Sequence, residues 1–143
     1  MLFSEADGRQ VVNTSTAGTV GKVSGFVVDP ARRMVVALEL KKTESGDTLA
    51  WEDVTAFGAD AVTVPDAERI GEASEAVAAL IGKDHRLIGK RALSDAGDEL
   101  GKVKDVAFDP ATGEITGVVV DKEELVGGRL VGVGSYAVVI KAE

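Results

Sequence analysis

The stretch GKVSGFVVDPA, residues 21–31, decides the fold, because it returns 80 residues later as GKVKDVAFDPA, residues 101–111. The two stretches align without a gap and are identical at six of eleven positions. A gapless internal repeat is typical of one structural unit that is used twice. The sequence therefore predicts two copies of one small fold.

Short apolar segments bounded by turns surround both copies and predict strands. In the first half they cover residues 10–13, 20–29, 34–41, 48–51 and 61–64; in the second half they cover residues 90–93, 100–109, 115–121, 129–133 and 137–141. Five short strands with tight turns indicate a small antiparallel β-barrel. A glycine inside the second strand, Gly25, predicts a bulge or bend there.

Each repeated stretch ends in an Asp-Pro turn. Proline presets the backbone at the second turn position, and the aspartate side chain can accept from the N–H groups that follow it. The second turn closes on Gly113, a residue that readily adopts positive φ, whereas the first has Arg33 at that position. Either Arg33 adopts positive φ, at a cost of about 1 kcal/mol, or the first turn is of another type.

The segment between the repeats predicts an amphipathic helix over residues 67–81. Ile70, Ala73, Val77 and Leu80 recur at helical spacing, with Ser74 as a helix cap. The predicted organisation is a first barrel at residues 1–64, a helical linker at 65–86 and a second barrel at 87–143. Because a domain of about 60 residues buries only about 60% of its unfolded surface, we expect the halves to pack together about a pseudo-twofold axis.

Composition narrows the classes of function. The net charge of −8, without a visible basic patch, argues against direct nucleic-acid binding. The absence of cysteine excludes disulfides, thiolate metal ligands and a cysteine nucleophile. The first residues are acidic, unlike a signal peptide, and the apolar stretch 125–140 is interrupted by Arg129 and four glycines. We therefore expect a cytoplasmic protein without a transmembrane segment.

No catalytic set is evident. Residues 132–137 match the loose dinucleotide pattern G-x-G-x-x-A, but the residues after it read as a strand rather than a helix, so a bend between barrel strands is the better interpretation. His85 is the sole histidine, and no G-x-S-x-G motif accompanies it. The acidic clusters fit no calcium loop. We therefore predict no catalytic, cofactor-binding or metal-binding residues.

Four residues are candidates for partner binding. Trp51 and Tyr136 suit interfaces, where one edge of the ring stays wet, although Trp51 also suits a core contact between barrels. Lys22 and Lys102 occupy the same position in the two repeats, and backbone geometry does not account for them.

The sequence resembles the PRC-barrel domain family. The likeness is carried by residues 87–93, 95–103, 105–106, 108–110 and 112–115, and more weakly by residues 8–12, 20–23 and 28–30. It implies a tandem PRC-barrel protein, mainly β. Known relatives, the cytoplasmic domain of the photosynthetic reaction-centre H subunit and the C-terminal domain of a ribosome-maturation factor, use the barrel for docking. The resemblance supplies no catalytic residues.

The expected function is therefore a non-enzymatic docking module for an unidentified protein partner. One alternative is an accessory factor of ribosome maturation that contacts ribosomal protein. Another is a small-molecule or proton-linked site, associated with an electron-transfer complex, formed by Asp105, Asp109 and Glu39. A homodimer is also consistent with the sequence, since edge strands of small barrels favour pairing.

Overall fold

The structure, a computed structural model, describes residues 1–82 and 85–142. Lys83 and Asp84 of the predicted linker, and Glu143, lie outside these residues. The described chain is mainly β, as predicted, and its two halves form one barrel-like sheet each.

The first half forms a seven-stranded sheet in the order β5-β6-β1-β2-β3-β4-β7, preceded by the helical turn α1 (Phe3–Ala6). Its strands are β1 (Gln10–Asn13), β2 (Thr19–Asp29), β3 (Met34–Lys41), β4 (Thr48–Ala50), β5 (Ala56–Phe57), β6 (Ala61–Val64) and β7 (Ile70–Gly71). Short 3-10 turns follow β4 at Trp51–Asp53 and precede β7 at Ala67–Arg69.

The second half forms a six-stranded sheet in the order β11-β10-β9-β8-β13-β12. Its strands are β8 (Arg91–Ser94), β9 (Glu99–Phe108), β10 (Ile115–Val120), β11 (Glu123–Val126), β12 (Leu130–Val133) and β13 (Ala137–Ile140), with a 3-10 turn at Gly127–Arg129. The bend predicted within residues 132–137 is confirmed, because β12 and β13 pair as an antiparallel hairpin across it.

The two sheets share one strand order. Strands β1 to β6 correspond in turn to β8 to β13, and β7 has no counterpart among the described residues. Each sheet contains one parallel pair, β1 with β6 and β8 with β13, which the strand pattern alone did not indicate. The remaining pairs are antiparallel, as predicted.

The repeat extends to the irregularities of the sheets. Three positions where a strand carries one extra residue recur 80 residues apart: Val20 and Leu100, Ser24 and Lys104, and Val36 and Thr116. The bulge predicted beside Gly25 is one of them. Such bulges bend a strand and increase its twist, which a small curved sheet requires.

The helix predicted over residues 67–81 is wrong at both ends. Residues 67–71 form a 3-10 turn and then β7, which pairs with β4, while α2 covers only Glu75–Ala78. Ser74 does cap α2, because its side chain accepts from the Val77 N–H at 3.3 Å. Burial of Ile70, which is 7% exposed, explains why this segment joins the sheet instead of extending the helix.

Candidate partner-binding surface

The two halves meet about a local twofold axis at their Asp-Pro turns. The Val35 N–H donates to the Gly113 carbonyl and the Ile115 N–H donates to the Arg33 carbonyl, both at 2.8 Å. These two bonds exchange under the offset of 80 residues, which is the signature of an isologous contact. The predicted pseudo-twofold packing is thus built into the backbone of the repeat.

The turns themselves form as predicted. The Asp29 and Asp109 carboxylates accept from the N–H groups of Ala31 and Ala111 at 3.0 and 2.8 Å. Arg33 has φ of 54° and Gly113 has φ of 81°. Arg33 therefore adopts the positive φ that the alignment of the two turns required.

Trp51 lies in this junction and is half-buried. Its ring stacks on Phe57 with centroids 5.7 Å apart and meets Phe108 of the second half edge-on at 6.3 Å. A Cβ atom placed on Gly113 would lie 3.0 Å from the indole. The structure thus places Trp51 in a contact between the barrels, one of the two roles that the sequence left open.

The other aromatic residues of the junction belong to the same cluster. Phe3 stacks on Phe26 at 4.0 Å, and Phe108 lies within 5.5 Å of three other phenylalanine rings. Phe108 is 1% exposed, and buried residues of both halves form one continuous core. The expectation that the two halves pack together is confirmed.

Tyr136 differs from Trp51 in being 69% exposed. The Arg91 Nη1 donates to its hydroxyl at 2.6 Å, and the guanidinium lies 5.2 Å from the ring centroid. The Arg91 Nε also pairs with the Glu99 carboxylate at 2.9 Å. The ring is thus held in place while one face remains available to solvent.

The two lysines lie in different surroundings. Lys22 is half-buried on β2, in register with Gln10, whereas Lys102 is exposed on β9, in register with Arg91. Lys102 is thus the cross-strand neighbour of Arg91 on β9, and Tyr136 contacts the Arg91 side chain from the segment before β13. Of the four predicted residues, Lys102 and Tyr136 each adjoin Arg91; Trp51 belongs to the junction, and Lys22 to the sheet of the first half.

Exposed apolar surface is concentrated in the second half. Among the described residues, the large hydrophobic side chains that stand out into solvent are Ile88, Leu100, Val126, Val131 and Tyr136. Sequence reasoning found Tyr136 and missed the others, because their apolar character alone predicts burial. Val126 and Val131, at 67% and 51% exposed, lie on the two edge strands β11 and β12.

The three carboxylates proposed for a small-molecule site have separate partners. Asp105 accepts from the Ser4 N–H at 3.2 Å and from the Ser4 hydroxyl. Asp109 is engaged in its own turn, and Glu39 pairs with Arg86 at 3.3 Å. Within residues 1–82 and 85–142, no three histidine, cysteine or acidic side chains come close enough to share a metal ion.

Two of these carboxylates, Asp105 and Glu39, tie the halves together. Ser4 lies in the turn before the first sheet and bonds to the second, while Arg86 lies before the second sheet and pairs with a residue of the first. The N-terminal segment also crosses over, since the Phe108 N–H donates to the Met1 carbonyl at 2.8 Å. These carboxylates therefore have structural partners at the junction.

Comparison with known proteins identifies one domain. The family model of the PRC-barrel domain matches residues 82–142, which contain all six strands of the second sheet. A search of curated proteins finds none that matches the chain. None of the helices in the described part of the chain has the length and apolar character needed to cross a membrane.

Proposed function

Because the chain carries a PRC-barrel domain at residues 82–142, we propose that it is a tandem PRC-barrel protein that acts in the cytoplasm as a non-enzymatic docking module for a protein partner. The strand order common to both sheets, with its repeated bulges, supports the tandem arrangement. The second barrel presents the docking surface and the first supports it.

The observation that carries the proposal is the unequal exposure of apolar side chains. All five large exposed hydrophobics of the described chain lie in the second half. Single exposed apolar residues are ordinary, and Val126 and Val131 lie on opposite edges of the second sheet; the restriction of all five to one half is what favours that half as the interacting one. The first half uses its aromatic residues in the junction instead.

Tyr136 is the residue we expect to contribute most to binding. Tyrosine and arginine are enriched among residues that dominate interface energies, and Arg91 already orients the Tyr136 ring. Lys102, beside Arg91, adds a positive charge at the rim, where charge mainly affects association rate. The three residues together form a small amphipathic patch.

Affinity capture from the native cell, with chemical crosslinking, tests the proposal. We expect the wild-type chain to recover a specific protein, and Tyr136→Ser to reduce its recovery about 10-fold or more, as loss of a dominant interface residue would. Asp60→Ser is the matched control, because Asp60 precedes β6 as Tyr136 precedes β13 and is exposed. Recovery of the bait alone under several conditions would contradict the docking role.

Two further measurements distinguish a ribosomal partner from a second copy of the chain. Cofractionation with a ribosomal subunit would assign the partner to ribosome maturation, and consistent absence from those fractions would dismiss that assignment. Light scattering on the purified chain measures self-association. A dimer that Tyr136→Ser dissociates would make a second copy the partner.

A further inference from the structure

In the first half, one edge of the sheet is covered by the segment that follows β6. The strand β7 pairs with β4, placing Ile70 opposite Leu49. Ile70 is 7% exposed and belongs to the core. The following helix α2 faces the outer side of β3 and β4 across a cavity of about 490 Å³, to which both Ala50 and Val77 contribute.

Within the described residues, the corresponding edge of the second half has no such paired strand. Strand β11 corresponds to β4, since Leu125 pairs with Val118 as Leu49 pairs with Leu38. No described residue pairs with the outer edge of β11. Val126, the counterpart of Ala50, is accordingly 67% exposed.

A cavity of the second half lies beside Leu125. It has a volume of about 320 Å³ and is lined by apolar Leu100, Val120, Leu125 and Ala142, and by polar Ser94, Asp98, Glu123 and Arg129. Leu125 is the counterpart of Leu49, which faces Ile70 in the first half. Leu100 is 38% exposed, whereas its counterpart Val20 packs against the core. The two halves therefore differ at this position, with the Leu100 side chain lining the cavity in the second half.

We infer that β11 receives an extended segment of a partner protein, which adds a seventh strand to the second sheet and inserts a branched aliphatic side chain into this cavity. The β4–β7 pairing of the first half provides the geometry. Main-chain hydrogen bonds to the strand edge would supply affinity, and the cavity would select the side chain. The inference rests on the proposed docking role and adds to the Tyr136 surface a second contact site with a defined class of ligand.

The charges on β11 define the rest of the ligand. In a strand that pairs as β7 does, the two residues after the aliphatic anchor lie opposite Glu124 and Glu123, both exposed. Basic residues are therefore favoured at those two positions. The same two glutamates argue against a second copy as the occupant, because a second β11 strand anchored by its own Leu125 would place Val126 and Gly127, and no basic residue, opposite them.

Titration of the isotopically labelled full chain with the peptide Ala-Glu-Arg-Ile-Lys-Lys-Ala, followed by amide NMR, tests the inference. We expect saturable shifts at residues 123–126 and at Leu100. Alanine in place of the peptide isoleucine should weaken binding about 10-fold or more, because most of the buried aliphatic surface is lost.

A charge exchange provides the matched control. Glu124→Lys, an exposed substitution, should weaken binding of the basic peptide about two- to fivefold and strengthen binding of a version with glutamates in place of the lysines. Absence of shifts at β11 with millimolar peptide, equal binding of the alanine peptide, or shifts confined to the groove beside α2 would each overturn the inference. Shifts at β11 that depend on protein concentration without peptide would make a second copy the occupant and also overturn it.

The docking role and the β11 site can fail separately. If wild type and Glu124→Lys capture the same native partner equally well while Tyr136→Ser captures less, the docking role stands and the β11 site falls. If the peptide binds β11 as expected but native capture recovers only the bait, the proposed docking role falls.

Discussion

The two halves fill equivalent positions of their junction in opposite ways. In the first half Trp51 opens the 3-10 turn after β4 and packs against Gly113 of the second half. In the second half Gly127 opens the equivalent turn after β11. The Nε of Arg33, a residue of the first half, donates to the carbonyl of Leu130, the residue that follows this turn, at 2.8 Å. On one side of the axis the indole of Trp51 packs against Gly113. On the other side the turn position equivalent to Trp51 is Gly127, and the Arg33 side chain bonds to the backbone nearby.

This difference shows that the internal repeat determines the backbone of the junction and leaves its side chains free to differ. The backbone pairing at the axis is symmetric, but the side chains are not: a Cβ atom on Gly127 would lie 2.1 Å from the Ile115 carbonyl oxygen, so a tryptophan does not fit there. One side of the junction is consequently aromatic and the other polar. The halves are complementary to each other, and neither is interchangeable with its copy.

The largest expected effect concerns the aromatic side of the junction. Phe108→Ala should lower the free energy of unfolding by about 3–5 kcal/mol, because the ring is fully buried among the aromatic residues of the first half. Val28→Ala, the substitution at the equivalent buried position of the first half, should cost about 2 kcal/mol. Urea denaturation of both variants measures the difference, and equal losses would contradict an aromatic cluster centred on the junction.

An intermediate effect is expected where Trp51 meets the second half. Gly113→Ala adds a methyl group at positive φ and 3.0 Å from both the indole and the Val35 carbonyl. The backbone conformation alone should cost about 1–2 kcal/mol, and crowding about 1 kcal/mol or more in addition. Because Trp51 is the sole tryptophan, its fluorescence reports any displacement directly.

Gly97→Ala is the matched control for that variant. Gly97 has φ of 91° and no atom within 4 Å of its would-be Cβ, so the substitution isolates the backbone cost. It should leave the emission spectrum of Trp51 unchanged. If Gly97→Ala destabilises the protein as much as Gly113→Ala does, close packing of Trp51 on the turn contributes nothing measurable.

The sequence predicts the fold well where local and global patterns agree. The repeat, the Asp-Pro turns and the long central strands all follow from turn chemistry and apolar spacing. Strand β11 was missed because Glu123 and Glu124 interrupt its apolar pattern, and β7 because its two residues are part of a segment with helical spacing. These short strands form because each pairs with a neighbouring strand, β10 or β4, and their own apolar pattern does not predict that pairing.

The candidate surface was less predictable for a related reason. Tyr136 is amphipathic and suggested exposure by itself, whereas Val126 and Leu100 resemble core residues in sequence. Their exposure depends on whether another segment covers β11, which is a property of the assembled sheet. Comparison of the two halves supplies that information, because the first half shows the same edge covered.

The smallest expected effect concerns Arg33, where two contributions oppose each other. Arg33→Lys keeps the strained backbone but loses the Nε donor to Leu130, and should cost about 1 kcal/mol. Arg33→Gly loses the same donor but relieves about 1 kcal/mol of strain at φ of 54°, so its stability should lie within about 1 kcal/mol of the wild type. Chemical denaturation of both variants separates the two contributions. A glycine variant markedly less stable than the lysine variant would mean that the aliphatic part of the Arg33 side chain stabilises the polar side of the junction by packing, as Trp51 does on the aromatic side.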